Sequence, residues 1–488
     1  MQTNHYKFSE IAINFDKKRI PLSAMEREKR KGEYRYYGAQ GIIDYIDDYI
    51  FDGKYLLIAE DGENLKSNKQ NIAQIVNGKF WVNNHAHIIQ TNDKCNIDYL
   101  NYYLNSTDIS GYITGSAQPK LSQANLNNID LVLPDIKIQE KITSILLTID
   151  EKIAINSATN NNLEQQAQAI FKSWFVDFEP FGGTMPKDWK NGNFAEIIEH
   201  TISGDWGKDF LTGNNTQKVY CIRGADIPEV RIGNKGKMPY RYILPKNYFN
   251  KKLTDGDLVI EISGGSPTQS TGRIAAITNY LLERYDEGMV CTNFCKAIKP
   301  KNKYSMFIYY YWLYLYRKNV FFSYENGTTG IKNLDISGFI ETEPIVIPNA
   351  DILIKFDEIC KNFEKIIFSN GYENEQLTQL RDTLLPKLMN GEIDVSEVEI
   401  STDKLYEPAN ESKLSAEPYN SSGSFASASK NLPSEQSSST DKLLFSILVF
   451  EHFYIKIVIL IGVTINTMTI FTSNIVKFKL KKSFTFDN

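Results

Sequence analysis

The chain contains one helical pattern twice, and this repeat limits its fold more than any other feature. Apolar residues ending in proline, at 131–134 and again at 345–348, open two helical stretches that reach about Phe178 and about Leu388. The stretches match without a gap at an offset of 214 positions, and each follows a segment of more than a hundred residues. The sequence therefore predicts the order domain, helix, domain, helix.

The spacing of apolar residues in both stretches predicts a coiled coil. Intervals of three, four and seven residues place these side chains along one seam of each helix. The predicted helix-interface positions are Ile142, Ile149, Asn156, Leu163, Phe356, Phe363, Asn370, Leu377 and Leu384. Each helix of about 40 residues is roughly 60 Å long. Antiparallel pairing would put one domain at each end and give the chain pseudo-twofold symmetry.

Two asparagines take positions in this seam. A buried asparagine there costs stability but can fix the register of the two helices. Alternatively, Asn156 and Asn370 mark a polar break. Residues 156–162 are almost wholly polar, and Asn370 is followed by Gly371, a weak helix former. The sequence leaves both interpretations open.

The segment before each helix predicts a mixed α/β domain. Short apolar runs follow Asp-Gly turns, so that 52–58 aligns with 255–261, and 82–84 aligns with 291–293. An old internal duplication with two drifted copies is the alternative explanation of these matches, but drift alone would not be expected to spare both helices so fully. The predicted boundaries are 1–135 and 191–349 for the domains, 136–178 and 350–395 for the helices, 179–190 for a linker, 396–442 for a disordered linker and 443–488 for an apolar tail.

Polar loops that contain glycine follow strands at similar places in both domains. Glycine lets backbone approach a ligand closely, and Ser, Gln, Lys and Arg are side chains that bind phosphates and base edges. The predicted DNA-contacting residues are Gln118, Lys120, Ser263, Ser266, Gln269, Arg273 and Lys332. The alternative is that these loops are ordinary solvated turns, and that Arg273 pairs with a carboxylate of its own domain.

Composition argues against several other classes of protein. A net charge of -5 argues against a protein that coats DNA by bulk electrostatics. The sequence shows neither a glycine-rich nucleotide loop nor a catalytic constellation, and its five cysteines predict reduced thiols rather than a zinc site. His85 and His87 suit hydrogen bonding or DNA contact better than metal binding. The N-terminus lacks the apolar core of a signal peptide, so a cytoplasmic protein is expected.

Several motifs of the chain resemble the specificity (S) subunit of type I restriction-modification enzymes, over about residues 6 to 395. The most specific is the run Ala169-Ile170-Phe171-Lys172-Ser173-Trp174-Phe175-Val176-Asp177-Phe178-Glu179-Pro180, followed by Met185-Pro186-Lys187-Asp188-Trp189. Also typical are Glu60-Asp61-Gly62, Ser263-Gly264-Gly265-Ser266-Pro267 and the ending Leu384-Leu385-Pro386-Lys387-Leu388-Met389-Asn390-Gly391-Glu392-Ile393. Their combination with the repeat makes the resemblance specific.

The resemblance implies two target-recognition domains that each read half of a bipartite double-stranded DNA sequence. It also implies that the helices set the unread gap and dock two methyltransferase (M) subunits, to which restriction (R) subunits are added. This chain would bind no cofactor and carry no metal or catalytic residue. S-adenosylmethionine, ATP and Mg²⁺ would belong to the partner subunits. A stand-alone DNA-binding protein and an independent nuclease or methyltransferase are the rival hypotheses.

The C-terminal tail departs from the pattern of that family. Residues 401–442 are rich in Ser, Asn, Pro, Lys and Glu, a composition typical of disorder. Residues 443–476 are strongly apolar and long enough to span a bilayer, but they include Glu451 and Lys456, which are costly at its centre. A non-native extension is the preferred interpretation, and a membrane span is the alternative.

Overall fold

The computed structural model of the protein describes residues 2–67, 70–115, 118–266, 268–327 and 331–398. The predicted apolar tail, and all but the first three residues of the predicted disordered linker, lie outside these ranges. Within them, no helix has both the length and the apolar character needed to cross a membrane. The chain divides into two compact units, one containing residues 1–146 and the chain from residue 383, the other residues 147–382. Both divisions fall inside the long helices.

The first domain is mixed α/β. Its strands are β1 (Thr3–Lys7), β2 (Ala12–Asn14), β3 (Lys31–Gly38), β4 (Gly41–Ile46), β5 (Phe51–Asp52), β6 (Tyr55–Ala59), β7 (Ala73–Val76), β8 (Lys79–Val82), β9 (Ala86–Thr91) and β10 (Asp130–Pro134). Its helices are α1 (Phe8–Ile11), α2 (Ala24–Glu28), α3 (Asn64–Ser67), α4 (Ile97–Ser106), α5 (Gln123–Asn127) and the long α6 (Ile136–Phe175).

The strands of the first domain form two sheets and a closing ribbon. One sheet has the order β2-β9-β6-β7 and the other β4-β3-β8-β5. All neighbours are antiparallel except β3 and β8, which pair in parallel with Tyr37 beside Val82. The ribbon joins β1 to β10 at the two ends of the domain sequence. Residues 131–134, which precede the predicted helix, therefore form a strand that closes the domain.

The second domain has its own set of strands and helices. The strands are β11 (Lys190–Asn193), β12 (Ile198–Ser203), β13 (Gln217–Ile222), β14 (Tyr240–Ile243), β15 (Leu258–Glu261), β16 (Ser263–Gly264), β17 (Ile274–Ala276), β18 (Met289–Cys291), β19 (Cys295–Pro300), β20 (Glu325–Asn326), β21 (Lys332–Leu334) and β22 (Pro344–Ile347). The helices are α7 (Ile227–Arg231), α8 (Pro245–Lys251), α9 (Asn279–Leu282), α10 (Ser305–Arg317), α11 (Ile336–Thr342) and the long α12 (Ala350–Met389).

The strand order of the first domain recurs in the second. The sheet β12-β19-β15-β17 repeats β2-β9-β6-β7, and the sheet β14-β13-β18 again contains one parallel pair, β13 with β18. The ribbon of β11 and β22 closes the domain, so residues 345–347 also lie in a strand. A small sheet, β16-β21-β20, is added beside the loop that follows β15.

The register of the strands corrects one sequence alignment by a single residue. Ile58 lies opposite His87 and Ile260 lies opposite Lys296, each three residues after the matched asparagines Asn84 and Asn293. Ile58 therefore corresponds to Ile260, whereas the aligned Asp-Gly turns had paired it with Glu261. The turns misled the alignment because Leu56 lies three residues after Gly53, whereas its equivalent Leu258 lies two residues after Gly256. A one-residue shift moves each side chain to the other face of a sheet.

Aromatic rings build the core of the second domain. Phe175 from α6 packs 5.1 Å from both Phe307 of α10 and Phe356 of α12, centroid to centroid. Phe171 and Trp174 join the same cluster. The aromatic residues in the most specific motif of the sequence therefore hold the end of α6 against the second domain. Burying a ring of this size stabilises a fold by roughly 1.5–3 kcal/mol.

Candidate nucleic-acid interface

The polar loop after β15 is held in place by hydrogen bonds inside the second domain. Ser263 Oγ donates to Asn333 Oδ1 at 2.7 Å, which joins β16 to β21. The hydroxyl of Ser266 accepts from the backbone of Gln269 at 3.0 Å. Gly264 and Gly265 have φ of 146° and 75°, values that only glycine adopts readily. These contacts and conformations hold the described parts of the loop, and the Gln269 side chain is exposed.

Arg273 forms a two-pronged ion pair inside its own domain. Its Nε and Nη2 lie 2.7 and 2.6 Å from the two carboxylate oxygens of Glu261. Hydrogen bonding to Glu261 raises the pKa of Arg273, although burial works in the opposite direction. The arginine side chain is 23% exposed and the glutamate 7%. This is the carboxylate pair of the alternative interpretation, so any DNA contact would use the guanidinium edge that Glu261 leaves free.

Lys332 also has a carboxylate partner. Its Nζ lies 2.8 Å from Glu325 Oε2, and only 23% of its side chain is exposed. The other oxygen of Glu325 accepts from both the backbone and the hydroxyl of Thr271. Glu325 thus ties the loop before Arg273 to β21, and the lysine charge is largely neutralised where it stands.

In the first domain, Lys120 is more exposed than Lys332. It retains 53% of its side-chain exposure and lies 3.4 Å from Glu60, which Arg19 contacts at 2.7 Å. Gln118 is exposed beside it. The two lysines are not equivalent. Leu121 and Leu334 make matching backbone hydrogen bonds to Glu60 and Ile262, so Lys120 lies one residue before its leucine and Lys332 two.

A ring lies at corresponding places in the two domains, and sequence analysis singled out only the one in the first domain, His85. The backbone of Glu60 donates to His85 O and that of Ile262 donates to Phe294 O, both at 2.9 Å, which makes His85 and Phe294 equivalent. Phe294 is 60% exposed. The side chain of His85 is 47% exposed and lies 2.7 Å from Asp61. The aligned asparagine just before each ring was the signal that could have revealed this position.

The remaining metal and thiol candidates are structural. His87 is fully buried and contacts Asp16 Oδ2 at 2.6 Å and Leu121 O at 2.8 Å. Its environment differs from that of the exposed His85, although the sequence had put both on one strand face. In the described ranges, no group of three or more His, Cys, Asp or Glu side chains could hold a metal ion. The cysteines, which are Cys95, Cys221, Cys291, Cys295 and Cys360, are free and buried.

Most of the side chains at the predicted seam positions are buried. Buried ones are Ile142, Ile149, Asn156, Phe356, Leu377 and Leu384, whereas Leu163, Phe363 and Asn370 are half-buried. Both helices continue through their asparagines without a break, which excludes the polar-break interpretation.

Contacts in the second unit bring the two long helices side by side. Asn156 Nδ2 donates to Glu373 Oε2 at 2.8 Å and to Asn374 Oδ1 at 2.9 Å. Arg381 Nη1 lies 2.9 Å from Asp150 Oδ1. At these contacts, residue numbers rise along α12 as they fall along α6.

Comparisons with known proteins agree on one family. The model of the type I restriction modification DNA specificity domain matches residues 4–165. A protein of Haemophilus influenzae provisionally named as a type I restriction enzyme specificity subunit is 28% identical over 260 residues, 52% of this chain and 64% of that protein. The match thus spans slightly less than two thirds of this relative.

Two further matches cover more of their counterparts. The type I restriction enzyme HindI specificity subunit of Haemophilus influenzae is 26% identical over 421 residues, 72% of this chain and 87% of the relative. The crystal structure of a type I restriction-modification S subunit from M. genitalium shares the fold, with a TM-score of 0.50 at 14% identity over 80% of this chain and 96% of that one. Over these stretches the chain is similar to type I restriction-modification specificity subunits.

Proposed function

We propose that this chain gives a type I restriction-modification complex its DNA sequence specificity. Each domain acts as a target-recognition domain that reads one half of a bipartite double-stranded site. The observation that carries this proposal is the recurrence of one strand order, β2-β9-β6-β7 and β12-β19-β15-β17, in two domains that each precede a helix of 40 residues. Two domains that share a scaffold but differ in their loops are suited to recognise two different sequences on one DNA molecule.

The two long helices act as the spacer between the half-sites. We take them to pair as an antiparallel coiled coil that relates the domains by a pseudo-twofold axis. The pairing of Asn156 with Glu373, and of Asp150 with Arg381, supports this arrangement. A buried asparagine bonded across the seam disfavours other registers, because a shift would leave its amide without partners.

The proposed partners supply the chemistry. Two methyltransferase subunits dock on the helices and bind S-adenosylmethionine, and restriction subunits join them to cleave DNA with ATP and Mg²⁺. The chain itself has no catalytic role in this proposal. Support comes from the family model that matches residues 4–165 and from the similar proteins named as specificity subunits.

An exchange of one domain tests this function. Residues 191–344 are replaced by the corresponding region of a relative, and cellular DNA is sequenced for methylation with the original chain, with the exchanged chain and with neither. The exchange should change the second half of the methylated site and leave the first half and the spacer unchanged. The reciprocal exchange of residues 1–130 is the matched control and should change the first half only.

Two outcomes would contradict the proposal. If methylation is the same with and without the chain, it does not confer specificity. If both half-sites change together after either exchange, the domains do not read independently.

A further inference from the structure

The second domain contacts the long helices at a place far along the chain from its covalent connections. Gly233, in the loop after α7, has φ of 84°, and a Cβ on it would lie 2.2 Å from Ile367 O of α12. A Cβ on Gly371 of α12 would lie 2.1 Å from Gly233 O. Real Cβ atoms do not approach oxygen so closely, so both positions require glycine. Gly371 is therefore there for close approach, although it weakens the helix that contains it.

A buried amide from the other helix completes this contact. Asn160 of α6 is 2% exposed, and its Nδ2 donates at 3.0 Å to both Ile232 O and Ile367 O. Its Oδ1 accepts from Asn370 Nδ2 at 2.9 Å. One side chain thus joins α6, α12 and the loop of the second domain. We call Asn160, Gly233 and Gly371 together the glycine seat.

Charged groups surround the glycine seat. Arg284 Nη1 donates to Gly233 O at 2.7 Å, and its Nη2 lies 2.5 Å from Glu375 Oε2 on α12. Glu375 Oε1 accepts from the backbone of Lys235 at 2.8 Å. Arg231 pairs with Glu164 of α6 on the other side. These hydrogen bonds and ion pairs lie on both sides of the contact. They therefore disfavour sliding of the second domain along the helices and its rotation about them.

The glycine seat is a second attachment point for the domain. Helix α12 leaves the domain at Ala350, and Gly371 lies about 30 Å further along at 1.5 Å per residue. A domain attached only at the helix end could rotate about its connections, as hinged domains do. A second contact at this distance removes that freedom.

We infer that the glycine seat is a positioning site that fixes the second domain on the helix pair and so sets the spacer length of the recognised DNA. This inference rests on the proposed function and deepens it. The length of the helices alone then does not determine the spacer. The angle of the second domain and its position along the helices also contribute to the spacer length. The three residues of the glycine seat, which lie outside the candidate DNA-facing loops, determine both.

The test uses the full chain assembled with its modification subunits and a series of duplexes. Both half-sites stay constant while the spacer varies one base pair at a time. The original chain should prefer one spacer. Gly371→Ala should reduce the ratio of affinities between the preferred spacer and its neighbours at least fivefold, and base preferences within each half-site should not change. Ser369→Ala, an exposed position two residues earlier on the same helix, is the control and should keep the original ratio.

A milder variant covers the case in which Gly371→Ala fails to fold. Glu375→Gln keeps the acceptor for Lys235 but loses the charge that holds Arg284. It should broaden spacer preference by about two- to threefold and speed amide hydrogen exchange in residues 230–237. Original spacer ratios for both variants, or for Glu375→Gln when Gly371→Ala does not fold, would overturn the inference. Failure of the proposed function is distinct, because the unmodified chain would then show no bipartite preference.

Discussion

Arg273 and Glu261 form a bidentate ion pair across neighbouring strands, with both N–H···O distances below 2.8 Å. The carboxylate is almost fully buried, and the guanidinium is partly open to solvent. This geometry holds the planar arginine fork in one orientation at the loop proposed to read DNA. A side chain fixed in this way needs little reorganisation before it contacts a base edge.

The first prediction concerns this pair. Arg273→Ala should lower the free energy of unfolding by about 1–3 kcal/mol, because Glu261 would remain buried without its partner. It should also relax the second half-site while the first stays unchanged. Urea unfolding and binding to duplexes with substitutions in each half-site measure the two effects. In the double variant Arg273→Gln with Glu261→Gln, stability should largely return and the relaxed half-site should remain. Recovery of both the stability and the specificity for the second half-site would show that Arg273 has only a structural role.

The second prediction separates the two loop lysines. Lys120 is exposed and only loosely paired, so Lys120→Ala should weaken binding to all sequences and lower the salt slope by about one unit. Lys332 is held on Glu325, so Lys332→Ala should change the slope by less and disturb the loop around Thr271 instead. Affinity on cognate and non-cognate duplexes at several salt concentrations measures both. Equal slope changes for the two variants would contradict the structural distinction.

The third prediction concerns helix length. An insertion near Ala158 in α6 alone would separate Asn156 from Asn160 and break their pairing with α12. A paired insertion of four residues, after Ala154 and after Glu375, leaves the bonds of both asparagines and the glycine seat in place. It adds about 6 Å, close to two base-pair rises. We expect a spacer longer by about two base pairs with the same half-sites, measured by methylation sequencing. An active complex with the original spacer would show that the helices do not set it.

The fourth prediction concerns pH. Burial raises the pKa of Glu364 on α12 to about 8, and Asp255 and Asp357 add to the effect. Because the folded-state pKa lies above the unfolded one, the contribution of Glu364 to stability is complete below about pH 4.5 and is lost as the pH rises to about 8. Glu364→Gln should therefore raise the melting temperature at pH 8.5 and change it little at pH 4.5. Glu358→Gln, an exposed position on the same helix, is the control. A pH-independent effect of Glu364→Gln would contradict the assignment.

Local sequence patterns were sufficient to predict the helices. Spacings of three and four residues define one apolar face whatever the rest of the chain does. Helix α6 spans Ile136–Phe175, against the predicted 136–178, and α12 spans Ala350–Met389, against the predicted 350–395. Strands after Asp-Gly turns were also predicted where they occur, but their register was not. The apolar runs at Leu131 and Ile345 were recognised only as the segments that lead into the helices, because a short apolar run fits a strand or a helix until its partner strand is known.

Composition was sufficient to locate the candidate DNA-facing loops. It did not predict the ion pairs that their charged residues form. The residues near Arg273 in sequence do not show that it pairs with Glu261, twelve residues earlier, instead of with a DNA phosphate. His85 was singled out from the sequence, but the exposed ring of Phe294 was missed because exposure depends on how the turn packs. Sequence composition shows which polar groups are present in a loop. Only the folded loop shows which of them already have partners.

The sequence by itself determined the order of domains and helices and the seam positions along each helix, because these depend on neighbours within a few residues. The tertiary structure decided what the polar residues in that seam do. Asn160 lay in a stretch that read as a polar break, and Gly371 read as a helix weakness. Folding brings Gly233 to Gly371 from 138 positions away in the chain, and Asn160 bonds to both sides of that contact. No local pattern encodes a contact whose partners meet only after the domain has packed against the helices.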